Sequence, residues 1–276
     1  MLTLLLACAV QASQEPPPYA VVLGVAQDAG HPQAGCEKDC CVTGRHSVAS
    51  LGLVVGDRHW LIDATPDFVA QEAGLAGSLQ GVFLTHAHMG HYTGLMHLGR
   101  EAWGASKVPV FAMPRMAEFL STNGPWSQLV TLENIALKPL EDGVGVDLGG
   151  LVVTPFVVPH RDEFSETVGY RVEGPNSSLL WLPDIDKWSR WDTPVEEVVA
   201  SVDVAYVDGT FYEDAELPNR DMSEIPHPFV VESMERLGDQ GVVFMHLNHT
   251  NRLLREPELL DGTPHRVAIE GEVVPL

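Results

Sequence analysis

The chain carries histidine and aspartate side chains whose types and spacing suit a metal centre. His86, His88 and His91 fall within six residues, in the order His-Ala-His-Met-Gly-His. In a loop, the first two can point the same way and chelate one ion, while His91 turns towards a neighbouring position. Asp184 would bridge two adjacent ions that hold a hydroxide between them. Neutral imidazoles with one carboxylate suit zinc, and they also accept iron or manganese.

Five metal-ligand side chains each stand just past the carboxyl end of a strongly apolar segment that predicts a strand. They are His86, His160, Asp184, Asp208 and His246. In layered α/β proteins such strand ends converge at one edge, where sites form. One histidine after one strand is usually structural, but five such events predict a common metal site.

A second group of candidate ligands lies near the N-terminus. Cys36, Cys40 and Cys41 fall within the six residues Cys-Glu-Lys-Asp-Cys-Cys, and the remaining cysteine is Cys8. Three thiols this close can form a disulfide or bind a metal, and the residues alone leave both alternatives open.

The elements that must position these groups are predicted from short apolar runs and their flanking turns. We predict strands over 19–25, 50–55, 59–63, 81–84, 108–112, 151–158, 167–172, 178–182, 202–207 and 241–245, and helices over 68–73, 94–103 and 228–237. Two similar halves, each rich in strands with helices interspersed, predict an α/β (α+β) fold. We expect two sheets packed together and covered by helices, a four-layer αββα sandwich.

Composition restricts the partners. The chain has 276 residues, of which 45% are hydrophobic, so a large core can be buried and disorder is not expected. Its 16 Lys and Arg against 38 Asp and Glu give a formal charge of −22. Such an acidic surface repels phosphate backbones, so we expect a small-molecule substrate and no nucleic-acid partner. The oligomeric state stays open, with a homodimer among the expectations.

The first 18 residues predict a targeting segment and a linker. The apolar run before Gln11, with small residues after it, is typical of a secretory signal, and Leu5 to Cys8 is similar to a lipobox that would put a lipid anchor on Cys8. No Lys or Arg precedes Lys38, so the usual basic start is missing. We expect residues 1–18 to be a signal or lipoprotein signal plus linker, and residues 19–276 to be one domain. The protein would be exported, periplasmic or lipid-anchored; with a mis-assigned start it would be cytoplasmic.

The segment Thr85 to His91 resembles the HxHxDH signature of the metallo-β-lactamase superfamily, and His160, Asp184 and His246 follow in that family's order. The resemblance implies a first metal site of His86, His88 and His160, with Asp63 as the family's structural aspartate.

The chain departs from the signature at one position. Gly90 stands where the family has an aspartate, and glycine has no side-chain ligand. The second site is therefore expected to keep only His91, Asp184 and His246. It would be weaker, empty or differently occupied.

The resemblance is narrower in two segments. Both segments resemble the branch that contains coenzyme PQQ synthesis protein B. They are Gly-Val-Ala-Gln-Asp-Ala-Gly-His-Pro-Gln from Gly24 and the stretch from His246 to Asn251. Phosphodiesterases of the phosphonate pathway and tRNA-processing endonucleases are similar relatives. Relatives in this branch hold a structural zinc on an N-terminal cysteine cluster and a histidine three residues after the last catalytic one. The implied ligands here are Cys36, Cys40, Cys41 and His249.

The tRNA-processing relatives also imply a catalytic pair. In them an acidic residue after a strand orients a helix-start histidine that donates a proton to the leaving group. Asp208 and His227 occupy similar positions here. An imidazole oriented by a carboxylate is a sound general acid.

The implied function is that of a metal-dependent hydrolase. A metal-bound hydroxide would attack a phosphodiester or an ester or lactone, Asp184 would hold the metal, and His227 would protonate the leaving oxygen. The expected cofactors are one or two zinc ions at the His/Asp site, with iron or manganese as alternatives, and one structural zinc. Two other functions stay open: an iron-dependent oxygenase related to coenzyme PQQ synthesis protein B, and a non-catalytic metal-binding protein with a decayed second site.

Overall fold

The computed structural model describes residues 16–42, 44–217, 221 and 224–276. Most of the predicted targeting segment, residues 1–15, lies outside the described residues. Within the described part of the chain, no helix combines the length and the apolar character needed to cross a membrane.

The first sheet combines strands from the N-terminal half with the last strand of the chain. Its members are β1 (Tyr19–Gly24), β2 (Ser50–Val55), β3 (Arg58–Ile62), β4 (Ser78–Phe83), β5 (Val108–Ala112), β6 (Ile135–Pro139) and β14 (Val273–Pro275). The spatial order is β14-β1-β2-β3-β4-β5-β6. Strands β14 to β3 pair antiparallel, and β3 to β6 pair parallel.

The second sheet repeats this plan with strands from the C-terminal half. It contains β7 (Val146–Asp147), β8 (Val152–Val158), β9 (Thr167–Glu173), β10 (Ser178–Leu182), β11 (Val204–Asp208), β12 (Val243–Met245) and β13 (Arg266–Val267). The order is β13-β12-β11-β10-β9-β8-β7. Strands β7 to β10 pair antiparallel, and β10 to β13 pair parallel.

Helices cover the outer face of each sheet. They are α1 (Phe68–Ala73), α2 (Met89–Tyr92), α3 (Pro114–Thr122), α4 (Trp126–Thr131), α5 (Val195–Ala200) and α6 (Val230–Leu237). The first four bury apolar side chains against the first sheet, and α5 and α6 do so against the second. A third apolar cluster fills the space between the sheets, with Leu53 and Phe83 on one side and Trp181 and Tyr206 on the other. The predicted four-layer αββα sandwich is therefore confirmed.

The helix predicted over 94–103 is wrong. The chain instead forms the short helix α2 and then a 3₁₀ turn over Thr93–Leu98. The backbone N–H of Gly94 donates to the carbonyl of Ala64, which diverts it from the helical ladder. A Cβ at Gly94 would lie 2.2 Å from the Thr65 carbonyl oxygen, so this close approach needs glycine.

A tyrosine joins the two sheets at the edge where β4 ends. The Tyr170 side chain of β9 is fully buried, and its hydroxyl donates to the Leu84 carbonyl at 2.5 Å. The backbone N–H of Val168 donates to the Thr85 carbonyl at 3.1 Å. These bonds connect the second sheet to the segment that leads into His86.

Tyr170→Phe should lower the free energy of unfolding by about 1–3 kcal/mol, because it leaves the buried Leu84 carbonyl without its donor. Denaturant unfolding measures this change. Tyr19→Phe is the matched control, since the Tyr19 hydroxyl forms no hydrogen bond with any other described residue, and it should shift the free energy of unfolding by less than about 0.5 kcal/mol. Equal effects of the two substitutions would contradict this role of Tyr170.

Candidate metal centre

The direction of the strands brings the predicted ligands to one edge of the sandwich. Strands β8, β10, β11 and β12 run the same way, because β8 and β10 are both antiparallel to β9 while β10, β11 and β12 pair in parallel. Their carboxyl ends deliver His160, Asp184, Asp208 and His246. Strand β4 of the first sheet delivers the segment from His86 to His91 to the same place.

Four of these side chains form a first donor set, His86, His88, His160 and Asp184. His86 Nε2 lies 2.8 Å from His88 Nδ1 and 3.4 Å from Asp184 Oδ2. His160 Nε2 lies 3.7 Å from Asp184 Oδ1. Ligands at zinc distances in a tetrahedron stand about 3.3 Å apart, so this set has the dimensions of a metal site.

A second donor set shares Asp184 and contains Asp28, His91 and His246. His91 Nε2 lies 2.9 Å from Asp28 Oδ1 and 3.0 Å from Asp184 Oδ2. His246 Nε2 lies 3.4 Å from Asp28 Oδ1 and 3.3 Å from Asp184 Oδ2. Asp184 therefore lies between two four-donor sets, which is the position of a bridging ligand.

Asp28 was missed in the sequence, and it changes the composition of the second set. We expected three donors there, because Gly90 offers none, but the structure supplies a fourth from the loop after β1. A signal was present, since Asp28 is an acidic residue a few positions beyond the end of an apolar strand, as several of the other candidates are. It lies 60 residues or so before the histidine cluster, so no local spacing connected the two.

Buried atoms that converge without forming hydrogen bonds support a cation at this edge. Several of them lie close together and form no hydrogen bond among the described residues: Asp28 Oδ1, His91 Nε2, His160 Nε2, Asp184 Oδ2 and His246 Nε2. Buried polar atoms without partners cost free energy, and natural proteins rarely leave several at one point. Imidazole nitrogens and carboxylate oxygens that converge in this way fit one or two zinc ions.

Two threonine–aspartate pairs hold the ligand histidines in position. The Thr85 hydroxyl donates to Asp63 and so accepts from His86 Nδ1 at 3.0 Å. The His91 Nδ1 lies 2.7 Å from Asp63 Oδ2. Because the Nδ1 atoms are engaged on the outer side, the Nε2 atoms face the donor sets.

The second sheet repeats this arrangement. The Thr210 hydroxyl donates to Asp208 at 2.7 Å and accepts from His246 Nδ1 at 3.0 Å. His246 has a left-handed backbone with φ 60°, as does Asp63 with φ 69°. Such strain in non-glycine residues is typical of functional sites, where the surrounding structure holds it.

The buried ionisable groups at this edge shift one another's pKa values. Burial lowers the pKa of His86 well below its usual value, so its ring is neutral. Burial would also lower the pKa of His91, but Asp63, Asp184 and Asp28 raise it well above its usual value. Burial would raise the pKa of Asp184, but the surrounding histidines hold it well below the usual range. The Asp184 carboxylate is therefore ionised and favours a cation beside it.

The predicted catalytic pair, Asp208 and His227, lies beside the donor sets. His227 Nδ1 is 2.8 Å from Asp208 Oδ2 and 3.4 Å from Asp184 Oδ1, and its side chain is buried. Burial would lower the pKa of His227, but Asp208 and Asp184 raise it to about 9. Asp208 also accepts from the Thr210 hydroxyl and the Ile185 N–H, so its oxygens are satisfied without a metal.

The cysteine cluster comes together with His249, as the resemblance implied. Cys40 Sγ lies 3.8 Å from Cys36 Sγ and 3.7 Å from His249 Nδ1, and Cys41 Sγ lies 3.3 Å from that nitrogen. In a tetrahedral zinc site, sulfurs stand about 3.8 Å apart and sulfur and nitrogen about 3.5 Å. The three cysteines are free thiols at these distances, which fit a Cys₃His zinc site better than a disulfide.

One cation and one anion contact His88, a member of the first set. The exposed Arg161 guanidinium lies 3.5 Å from His88 Nδ1. On its other nitrogen, His88 Nε2 lies 3.1 Å from Glu163 Oε2. Arg161 is therefore an exposed positive group beside a site built mostly from carboxylates and imidazoles.

Known proteins share both sequence and fold with this chain. Coenzyme PQQ synthesis protein B of Xanthomonas axonopodis pv. citri (strain 306) is 23% identical over 285 residues, which cover 85% of this chain and 90% of that protein. The protein of the same name from Pseudomonas fluorescens (strain SBW25) is 26% identical, with 86% and 92% covered.

Solved structures are similar to this chain in fold. Zinc-bound PqqB from Methylobacterium extorquens has a TM-score of 0.79 at 21% identity, over 94% of this chain and all of that chain. A diphosphatase from the PhnP family has a TM-score of 0.70 at 22% identity, over 93% and 96% of the two chains.

A family model supplies the classification. The model described as "Beta-lactamase superfamily domain" matches residues 58–247, which is more than half of the chain and includes the histidine cluster, Asp184 and His246. The chain therefore belongs to the beta-lactamase superfamily and has the metallo-β-lactamase fold.

Proposed function

We propose that this protein is a metal-dependent hydrolase of phosphodiesters or related esters, acting at the two donor sets that share Asp184. The observation that carries the proposal is the completeness of both sets. Each offers four donors within reach of one another, and Asp184 contributes to both. A decayed second site would lack this symmetry, so the non-catalytic alternative is disfavoured.

Metal ions at these sets would polarise a substrate oxygen and supply hydroxide as a nucleophile at neutral pH. The residues of the chain perform the rest. Asp63 orients His86 through the Thr85 hydroxyl. Asp208 orients His246 through the Thr210 hydroxyl in the same way. His227, hydrogen-bonded to Asp208 through Nδ1, borders the sets and would hand a proton from its other nitrogen to the leaving oxygen.

Arg161 favours an anionic substrate. The chain has a formal charge of −22, and the exposed Arg161 guanidinium beside His88 places a positive charge on this otherwise acidic protein. A guanidinium can bind a phosphate oxygen through two parallel hydrogen bonds. The diphosphatase among the structural neighbours also acts, by its name, on a phosphate compound. We therefore place phosphodiesters ahead of carboxylic esters and lactones.

An iron-dependent oxygenation is the second candidate. It is favoured by the relatives named for coenzyme PQQ synthesis, which match 85% or more of the chain. A mononuclear oxygenase needs open positions at one metal, whereas Asp28 completes a second set here. The native metal and oxygen uptake distinguish the two candidates.

The protein purified without chelator should contain about three zinc ions per chain, two at the shared sets and one at the cysteine cluster. His86→Ala/His88→Ala should lose one of them and its hydrolysis of bis(p-nitrophenyl) phosphate, because it removes half of the first set. Elemental mass spectrometry measures the content. Iron in the native protein with oxygen uptake would move the assignment to the second candidate, and unchanged metal in the variant would refute the site.

Arg161→Gln should raise KM for a phosphodiester by about tenfold, because a charge-assisted hydrogen bond contributes about 1.5 kcal/mol. It should leave KM for a neutral ester such as p-nitrophenyl acetate unchanged. Steady-state kinetics on the two substrates measure the difference. Glu163→Gln, on the other side of His88, is the matched control and should not raise KM for the diester. Equal effects of Arg161→Gln on both substrates would contradict selection for anions.

His227→Gln should slow the hydrolysis of substrates with alkoxide leaving groups by about 100-fold or more, because a general acid contributes that much where the leaving oxygen needs a proton. Substrates that release p-nitrophenolate should slow far less, since this anion leaves unprotonated. The comparison of kcat for alkyl and nitrophenyl esters of one phosphate measures the effect. An equal loss for both leaving groups would assign His227 a positioning role instead.

A further inference from the structure

The space beside Gly90 is occupied by another part of the chain. A Cβ placed on Gly90 would lie 2.4 Å from the Asp28 Cα and 2.5 Å from Asp28 Oδ1. Real Cβ atoms do not come this close to backbone, so any other residue at position 90 would push the loop that carries Asp28 away. The side chain that the family signature places at this point and the Asp28 carboxylate therefore compete for one volume.

The Asp28 carboxylate is aimed at the second donor set. Its Oδ1 is buried, has no hydrogen-bond partner among the described residues, and lies 2.9 Å from His91 Nε2 and 3.4 Å from His246 Nε2. A carboxylate oxygen that faces two imidazole nitrogens at these distances is the arrangement of a metal ligand.

The loop that carries Asp28 is fixed to the segment that follows His246. The Gln27 N–H donates to the Leu247 carbonyl at 2.9 Å, and the Leu247 N–H donates to the Val25 carbonyl at 2.8 Å. A tight turn follows, in which the Gly30 N–H donates to the Gln27 carbonyl at 2.7 Å. Asp28 and His246 are therefore positioned by one shared stretch of backbone.

We propose that Asp28 is the carboxylate ligand of the second metal position, transferred from the histidine signature to the loop after β1, and that Gly90 is required to make room for it. The inference rests on the proposed metal centre and deepens it. Its consequence is that position 90 controls metal binding without donating a ligand. The second position then depends on the loop from Gln27 to Gly30 as well as on the histidines.

Two substitutions test this assignment by metal content and not by activity. Asp28→Ala removes the ligand, and Gly90→Ala removes no donor but forces the loop outward. Each should lower the zinc content by about one ion per chain relative to the native protein. In protein reconstituted with cobalt, each should also remove part of the visible absorption. Asp57→Ala, an exposed carboxylate in the turn after β2, and Gly74→Ala, where a Cβ meets only ordinary contacts, are the matched controls and should keep all the metal.

The double variant Asp28→Ala/Gly90→Ala should lose no more metal than either single variant, because both changes act on the same ion. Full metal content in Asp28→Ala would overturn the assignment of the ligand. Full content in a folded Gly90→Ala would overturn the role of the glycine. If Gly90→Ala fails to fold by circular dichroism, Asp28→Ala alone decides the ligand. Native protein that binds both ions but hydrolyses no ester would refute the proposed function while leaving this inference intact.

Discussion

The Asp184 carboxylate is the group on which the rest of the site depends. Its side chain is 2% exposed, and its oxygens lie within 3.7 Å of the Nε2 atoms of four histidines. An isolated buried carboxylate costs several kcal/mol, so the surrounding groups must compensate its charge. Protonated imidazoles would do this in part, but several ring nitrogens converge on the same point. The residues of the two donor sets would hold cations there, and these would compensate the carboxylate and bind the ring nitrogens.

The fold brings the ligands around Asp184 together through the direction of its strands. Parallel strands end at one edge, and each of the two sheets contributes such an edge to the same side of the sandwich. The ligand histidines therefore come from both sheets, with His86 and His91 from the first and His160 and His246 from the second. The Tyr170 hydroxyl and the Val168 N–H hold the sheets in register there. A small shift between the sheets would separate the two halves of each donor set.

The sequence predicted the ligands that follow strand ends. It did not predict features that depend on packing between distant loops. Apolar runs located the strands that deliver His86, His160, Asp184 and His246, because burial dictates their composition. The helix predicted over 94–103 failed because the Gly94 N–H bonds outside its own segment. The place of Asp28 beside His91 and His246 was also missed. It follows from contacts between loops far apart in the chain, which no spacing rule encodes.

With Gly90 and Asp28, the ligand oxygen keeps its place in the site while a residue elsewhere in the sequence supplies it. A metal responds only to where an oxygen lies, so a carboxylate on the loop after β1 can replace one on the histidine segment if it reaches the same point. The replacement has a structural condition, since the loop backbone then fills the space of a side chain at position 90. A glycine that breaks the signature, taken alone, indicates a lost ligand. Taken with Asp28, it indicates that the ligand comes from elsewhere.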